Sequence, residues 1–319
     1  MIALVLAVSL IGSFTLVASQ ASAAGDWKPL EPEETLFVYT RCQEDHLPAG
    51  AKRTQYHSQW RQWKLLPDDP VTHCYLKCAL VGLGLWDERA KRFQPARITT
   101  QHLEYKKLNE ASDSEVAQYK AAVGNLKGGK GSCTELYKAY KPVHDKFVAL
   151  TQKLYHGTPQ AANKVYQANP FMKRKDESAM AYCEKMVYSP KTKKDMCAGR
   201  QYQLTGSKEL RDVIECIFRE LRYTKNGELN VDEIVRDFKL INKGNLEQQI
   251  RSVLSKCRGM TPYDHYTCLL KSNLKKDFKK AFDFREIRSA NYSYLLKGNK
   301  YDRAKVKSMI AEIDKKTCG

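Results

Sequence analysis

The chain has 319 residues, 42% of them hydrophobic and 28% charged, with 17 Gly, 11 Pro, ten Cys and a formal charge of +18. A chain this apolar buries enough surface to offset its conformational entropy, which excludes disordered, collagen-like and low-complexity classes and leaves one large or two ordinary domains. The positive charge fits nucleic-acid binding, adhesion to acidic surfaces or capture of small anions, and sign alone does not separate them.

The first 25 residues contain no charged side chain. The apolar run from Ile2 to Val17 leads to Ala21-Ser22-Ala23, the small-x-small pattern that signal peptidase cleaves, so residues 1–23 are expected to be a signal peptide. No later stretch approaches a membrane span. Secretion removes most nuclear and cytosolic nucleic-acid roles and puts an even number of cysteines in an oxidising compartment, where disulfides are the expected state.

Helical spacing follows: Leu36, Phe37, Thr40 and Cys42 after an acidic start, Val116 to Leu126, Leu210 to Leu221, Ile234 to Ile241 and Ile250 to Cys257. Strand signals are poor throughout, so the fold class is all-α. The cysteines fall into a group of four (Cys42, Cys74, Cys78, Cys133) and a group of six (Cys183, Cys197, Cys216, Cys257, Cys268, Cys318), with the turn-like His156-Gly157-Thr158-Pro159 between. Two domains are expected, 24–158 and 159–319. A weak repeat supports the division: Cys78 precedes Phe93 and Ile98 much as Cys216 precedes Leu229 and Ile234, each reading as helix, short loop, helix. Residues 161–319 hold 34 basic and 20 acidic side chains, so +14 of the +18 lies there.

No cofactor is expected. The seven histidines form no i, i+4 pair and the cysteines lack a second close pair, which argues against zinc. Tyr223 to Asp232 reads as a polar turn before a helix, since it lacks the oxygen set of a calcium loop. There is no Gly-x-Ser-x-Gly, phosphate loop or His-Glu-x-x-His, so the chain is not expected to be an enzyme.

The stretch Pro32-Glu33-Glu34-Thr35-Leu36-Phe37-Val38-Tyr39-Thr40-Arg41-Cys42, the Cys74-x-x-x-Cys78 pair, Tyr140-Lys141-Pro142-Val143-His144 and Phe278 to Arg288 resemble the long-form D7 salivary proteins of mosquitoes, two-domain members of the odorant-binding-protein superfamily. The resemblance covers essentially the whole mature chain. It implies two tandem disulfide-stapled helical domains, salivary secretion, and sequestration of host mediators: biogenic amines, cysteinyl leukotrienes, thromboxane-like lipids or adenine nucleotides. It also implies the pairings Cys42–Cys78, Cys74–Cys133, Cys183–Cys216, Cys197–Cys318 and Cys257–Cys268.

Three constellations are candidates for binding. The first is an apolar pocket in the amino-terminal domain, which holds all four tryptophans (Trp27, Trp60, Trp63, Trp86) and Tyr75; the competing reading is plain core. The resemblance associates Tyr75 with thromboxane-like lipids and Lys175 with a lipid carboxylate. The second is an amine site, in which Asp283 and Glu286 share a helix face, Tyr202 and Tyr266 supply rings and Arg200 a donor. These five match the family's amine pocket. Val213 stands where amine binders carry a histidine, and the competing reading is a salt-bridged helix face. The third is a nucleotide site, with Tyr166, Lys173, Lys175 and Arg288 for ring stacking and phosphates and Ser289, Asn291, Tyr292 and Ser293 for short polar contacts; the competing reading is a solvated basic run. Asn291-Tyr292-Ser293 is also the one glycosylation sequon, whose occupancy would keep Asn291 out of a buried pocket.

The expectation is a secreted monomeric scavenger of small anionic mediators, adenine nucleotides such as ADP or eicosanoids, without nucleic-acid or membrane partners. Its action would impair platelet aggregation and vasoconstriction during blood feeding. An amine binder acting through the carboxy-terminal domain and a basic protein binding heparin or coagulation surfaces remain the alternatives.

Overall fold

The computed structural model describes residues 27–225 and 227–319; the expected signal peptide at 1–23 lies outside them, as does Asn226. Helix starts follow local chemistry. In α1 (Pro32–His46) the Glu34 carboxylate accepts the Glu31 N–H at 2.9 Å, and a proline at the first turn sacrifices no helical hydrogen bond. After α2 (Lys52–Arg61), Asp69 caps α3 (Pro70–Gly82) by accepting the N–H groups of Val71 and Thr72. Reciprocal Ser112/Glu115 and Ser132/Glu135 caps begin α5 (Asp113–Gly124) and α6 (Cys133–Leu154), beyond α4 (Pro95–Glu104).

The carboxy-terminal half runs through α7 (Pro159–Ala168), α8 (Ala179–Val187), α9 (Lys193–Arg200), α10 (Lys208–Glu220), α11 (Val231–Leu240), α12 (Glu247–Ser255), α13 (Pro262–Lys271), α14 (Lys275–Ser289) and α15 (Arg303–Cys318). In α10 the residues Leu210, Val213, Ile214, Ile217 and Phe218 recur at helical spacing and are all buried.

The connections read as short loops contain paired strands in both halves. Between α3 and α4, β1 (Trp86–Asp87) pairs antiparallel with β2 (Arg92–Phe93); between α10 and α11, β3 (Thr224–Lys225) pairs with β4 (Glu228–Leu229). Phe93 and Leu229, the repeated apolar positions, occupy the second strand of each hairpin. Strands of two residues are too short to display alternation, so sequence pattern alone does not reveal them.

The disulfides link α1 to α3 (Cys42–Cys78), α3 to α6 (Cys74–Cys133), α8 to α10 (Cys183–Cys216), α9 to α15 (Cys197–Cys318), and the end of α12 to α13 (Cys257–Cys268). Two apolar clusters form beneath them. One gathers residues from Cys42 to Tyr155 and the other from Ala179 to Val306, but Leu296 crosses over and packs in the first.

Candidate ligand-binding site

The amino-terminal cluster encloses a cavity of about 510 Å³, within the ~300–1,000 Å³ range of small-molecule sites. Helix α1 forms one wall with Pro32, Thr35, Leu36, Tyr39 and Gln43, and α3 another with Tyr75, Leu76, Ala79 and Leu80. Trp60 stacks on Tyr75 at 4.0 Å between ring centroids and Trp63 meets Tyr39 edge-on at 4.9 Å, so both aromatic pairs border the space and stiffen it. Of the four tryptophans, Trp60 and Trp63 line the cavity, whereas Trp86 packs in the core and Trp27 lies under Arg97. Gly157 is required here, since a Cβ would fall 2.3 Å from the Trp63 ring.

The polar groups of this cavity are few. Burial pushes the Tyr75 phenol up to about 12, against a hydrogen bond to Gln43, so it stays neutral and able to donate. The buried Thr35 hydroxyl has no hydrogen-bond partner among the described residues. His144 and His156 line the wall as neutral rings: burial lowers both, His156 to about 4, and each contacts a backbone carbonyl, of Trp63 at 2.8 Å and Leu30 at 3.1 Å. Exposed Arg61, Lys64 and Lys297 bring positive charge to the rim.

Ser293, Leu296 and Lys297 come from the far end of the chain. They complete the cavity because Arg53 on α2 donates to the carbonyls of Leu295 and Leu296, at 3.2 and 3.4 Å, and holds that segment in place. Sequence reasoning missed this segment apart from Ser293, since local pattern carries no trace of a contact made across more than 200 positions. Lys175, expected to meet a lipid carboxylate, is exposed and lines neither this cavity nor either of two pockets in the carboxy-terminal half, one around Asp283 and the other beside Arg174 and Glu177.

The nucleotide set is not gathered around one open site: Ser293 lines the amino-terminal cavity and Lys175 is exposed, while Lys173, Arg288, Ser289 and Tyr292 have internal partners. The buried Lys173 ammonium faces Glu33 at 3.3 Å and the Ser289 carbonyl at 3.4 Å, above the Tyr292 ring. Arg288 pairs with Asp237 at 2.9 Å, Ser289 accepts the Ala179 N–H at 2.9 Å, and Tyr292 donates to Glu33. Tyr166 is buried beneath the Arg174 guanidinium. Asn291 is exposed and accepts a hydrogen bond from Ser293 at 2.9 Å.

Of the amine set, Arg200, Tyr202, Tyr266 and Asp283 meet around a second cavity of about 30 Å³, with Val213 in its wall. That space is an order of magnitude below an ordinary ligand site. Arg200 is engaged by Glu184 at 2.5 Å and Asp314 at 3.1 Å, two carboxylates that sequence reasoning did not single out. Tyr202 donates to Asp283, whose carboxyl burial raises to about 6. Glu286 does not line the space; it accepts the Ser178 hydroxyl and the Met180 N–H at 3.1 Å, tying α14 to the start of α8.

Helix α1 also separates two environments. Thr35, Leu36, Tyr39 and Gln43 face the cavity, while Glu33, Phe37, Arg41 and Glu44 face the carboxy-terminal half. On the second face Glu33 meets Arg222 at 2.7 and 3.1 Å, Arg41 meets Glu233, and the Phe37 ring lies under the guanidinium groups of Arg41, Arg222 and Arg285.

No family-level sequence model matches the chain. The long form salivary protein D7L2 of Anopheles darlingi is 54% identical over 294 residues, 92% of this chain and 93% of the relative. The crystal structure of the AnSt-D7L1–U46619 complex superposes with a TM-score of 0.85 at 48% identity, covering 90% of this chain and 97% of that one. The AeD7–leukotriene E4 complex gives 0.80 at 35%, covering 87% and 96%, and Culex quinquefasciatus D7 long form 1 in complex with ADP gives 0.84 at 26%, covering 92% and 99%. With this identity sustained over nearly the full length of its salivary relatives, and with two tandem helical, disulfide-linked domains like theirs, the chain belongs to the long-form D7 salivary protein family.

Proposed function

We propose that this protein is a secreted salivary scavenger that holds anionic host mediators without turning them over, and that its amino-terminal cavity takes an eicosanoid. The observation that carries this reading is the cavity of about 510 Å³, lined by Leu36, Leu76, Leu80 and two aromatic pairs, with Tyr75 as an internal donor and cations at its rim. An eicosanoid combines a long apolar chain with a carboxylate, which suits apolar walls and a positive mouth. Relatives crystallised with U46619, a thromboxane analogue, and with leukotriene E4 support the same chemistry. Removing thromboxane and leukotrienes at the bite would oppose platelet aggregation and vasoconstriction. The mature domains are read as 24–158 and 159–319, with monomeric action.

An adenine nucleotide is the second anionic reading, favoured by the ADP complex of the Culex relative. A biogenic amine is the least supported, because the space around Asp283 is about 30 Å³ and Val213 adds no polar group.

Scavenging at low mediator concentration needs submicromolar affinity, more than about 8 kcal/mol. Calorimetric titration with U46619, leukotriene E4, ADP, serotonin and histamine tests the reading. One-to-one lipid binding with the ligand recovered intact is expected; tight serotonin binding with silence for every anion would sink it.

A further inference from the structure

We infer that Glu33 is a built-in anion: it occupies the cationic recess made by Lys173, Arg222 and Tyr292 at the junction of the two halves, and so closes that recess to external anions. This inference does not depend on which lipid the amino-terminal cavity holds.

The recess has the composition of an anion receptor. An ammonium, a bidentate guanidinium and a phenol converge on one carboxylate, at 3.3 Å from Lys173 and 2.7 and 3.1 Å from Arg222, with Tyr292 donating as well. Glu33 and Lys173 each keep only 2% of their side-chain surface exposed, so neither is a solvated surface charge. Arg222 keeps 21%, which marks the side from which an external anion would arrive. Tyr292 also borders a void of about 10 Å³ lined by Arg41, Glu44, Arg285 and Arg288, where Arg285 meets Glu233 at 3.1 Å and Arg288 meets Asp237 at 2.9 Å, so these neighbouring cations have carboxylates of their own and leave Glu33 to Lys173 and Arg222. Burial alone would raise the Glu33 carboxyl, but Arg222 and Lys173 overcome it and hold the group at about 2, so it remains an anion at any physiological pH.

Removing one partner of such a group leaves the others charged, buried and unpaired. A small external anion would then bind where none binds in the wild type, and would restore what the substitution cost. Glu33→Ala, which opens space, and Glu33→Gln, which keeps shape and drops charge, test this in the full mature chain with its disulfides intact.

The readouts are the thermal midpoint in acetate or inorganic phosphate, taken relative to wild type in the same buffer, and calorimetric titration with ADP. Both variants are expected to melt lower than wild type. An anion at ~100 times its Kd should return roughly 5 °C to the alanine variant and nothing to wild type. ADP affinity should rise at least about tenfold in the alanine variant. Equal ADP or phosphate affinity in wild type and variant would show that Glu33 blocks nothing. A folded variant indifferent to every anion would show that the recess is no receptor. If the alanine chain does not fold, the glutamine chain decides by the same comparison. Titration of U46619 into the same proteins keeps the two readings apart: a wild type that ignores the lipid overturns the cavity assignment and leaves the anion comparison intact.

Discussion

At the scale of single residues, the cavity separates a buried anchor from a rim charge, and the two should respond differently to substitution. Tyr75→Phe removes one neutral hydrogen bond from a buried wall of the cavity, and U46619 affinity should fall roughly three- to tenfold with salt having little influence. Lys297→Ala removes an exposed charge, so a loss of about two- to fivefold is expected at low salt, shrinking in 0.5 M salt as screening takes over. Titrations at two ionic strengths check both; a salt-dependent Tyr75→Phe effect would reverse the assignment. Tyr75 was legible through its place beside Cys74 in the tryptophan-rich half and through the resemblance to the D7 family, which associates that position with thromboxane-like lipids. The internal pairing of Lys173 and Arg288 was not, since composition reports how many cations a chain carries and never which carboxylates they meet. Lys175 illustrates the same gap, being a neighbour of buried Lys173 yet itself exposed.

At the scale of elements, helical periodicity located α10, α11 and α12 within a few positions, because their apolar stripes are complete. The two short hairpins were not visible, having only two residues in each strand. The covalent links rank the elements by how much freedom each removes. Cys197–Cys318 joins α9 to α15 across a separation of 121 residues, whereas Cys257–Cys268 spans 11. On loop-closure entropy the first should contribute ~5 kcal/mol and the second ~3. Denaturant unfolding of the paired Cys→Ser variants measures the difference, and a larger loss for the shorter loop would show that native packing outweighs chain entropy. Helix α1 has a double duty that its modest amphipathicity hid: one face walls the cavity while the other meets carboxy-terminal cations, so no simple polar stripe remains to be read.

For the whole molecule, the junction predicts an acid limit. Glu33 and Glu233 are both held near 2, below the usual carboxylate value, by Arg222 and Lys173 for the first and Arg285 and Arg41 for the second, against the opposing effect of burial. Groups depressed in the folded state contribute stability that is complete above their unfolded value and lost as pH falls through the folded one. The thermal midpoint should therefore drop between about pH 4.5 and 2, and Glu233→Gln should flatten that drop while lowering the plateau. A midpoint unchanged across the window would deny the junction any energetic weight. Leu296→Ala tests the link between the halves. It should cost about 2–5 kcal/mol as a buried truncation and also speed lipid release, which stopped-flow displacement would detect.

The segment holding Ser293, Leu296 and Lys297 has a consequence in time as well as in space. A ribosome finishes the helices around the cavity long before it reaches these residues, so during synthesis the chamber stands with one wall missing. Capture of a lipid is thus a competence of the finished chain. Because Cys197–Cys318 tethers the downstream piece to α9, a proteolytic cut ahead of Ser293 would release it and unseal the vessel only in a chain lacking that disulfide, with the amino-terminal disulfides left intact.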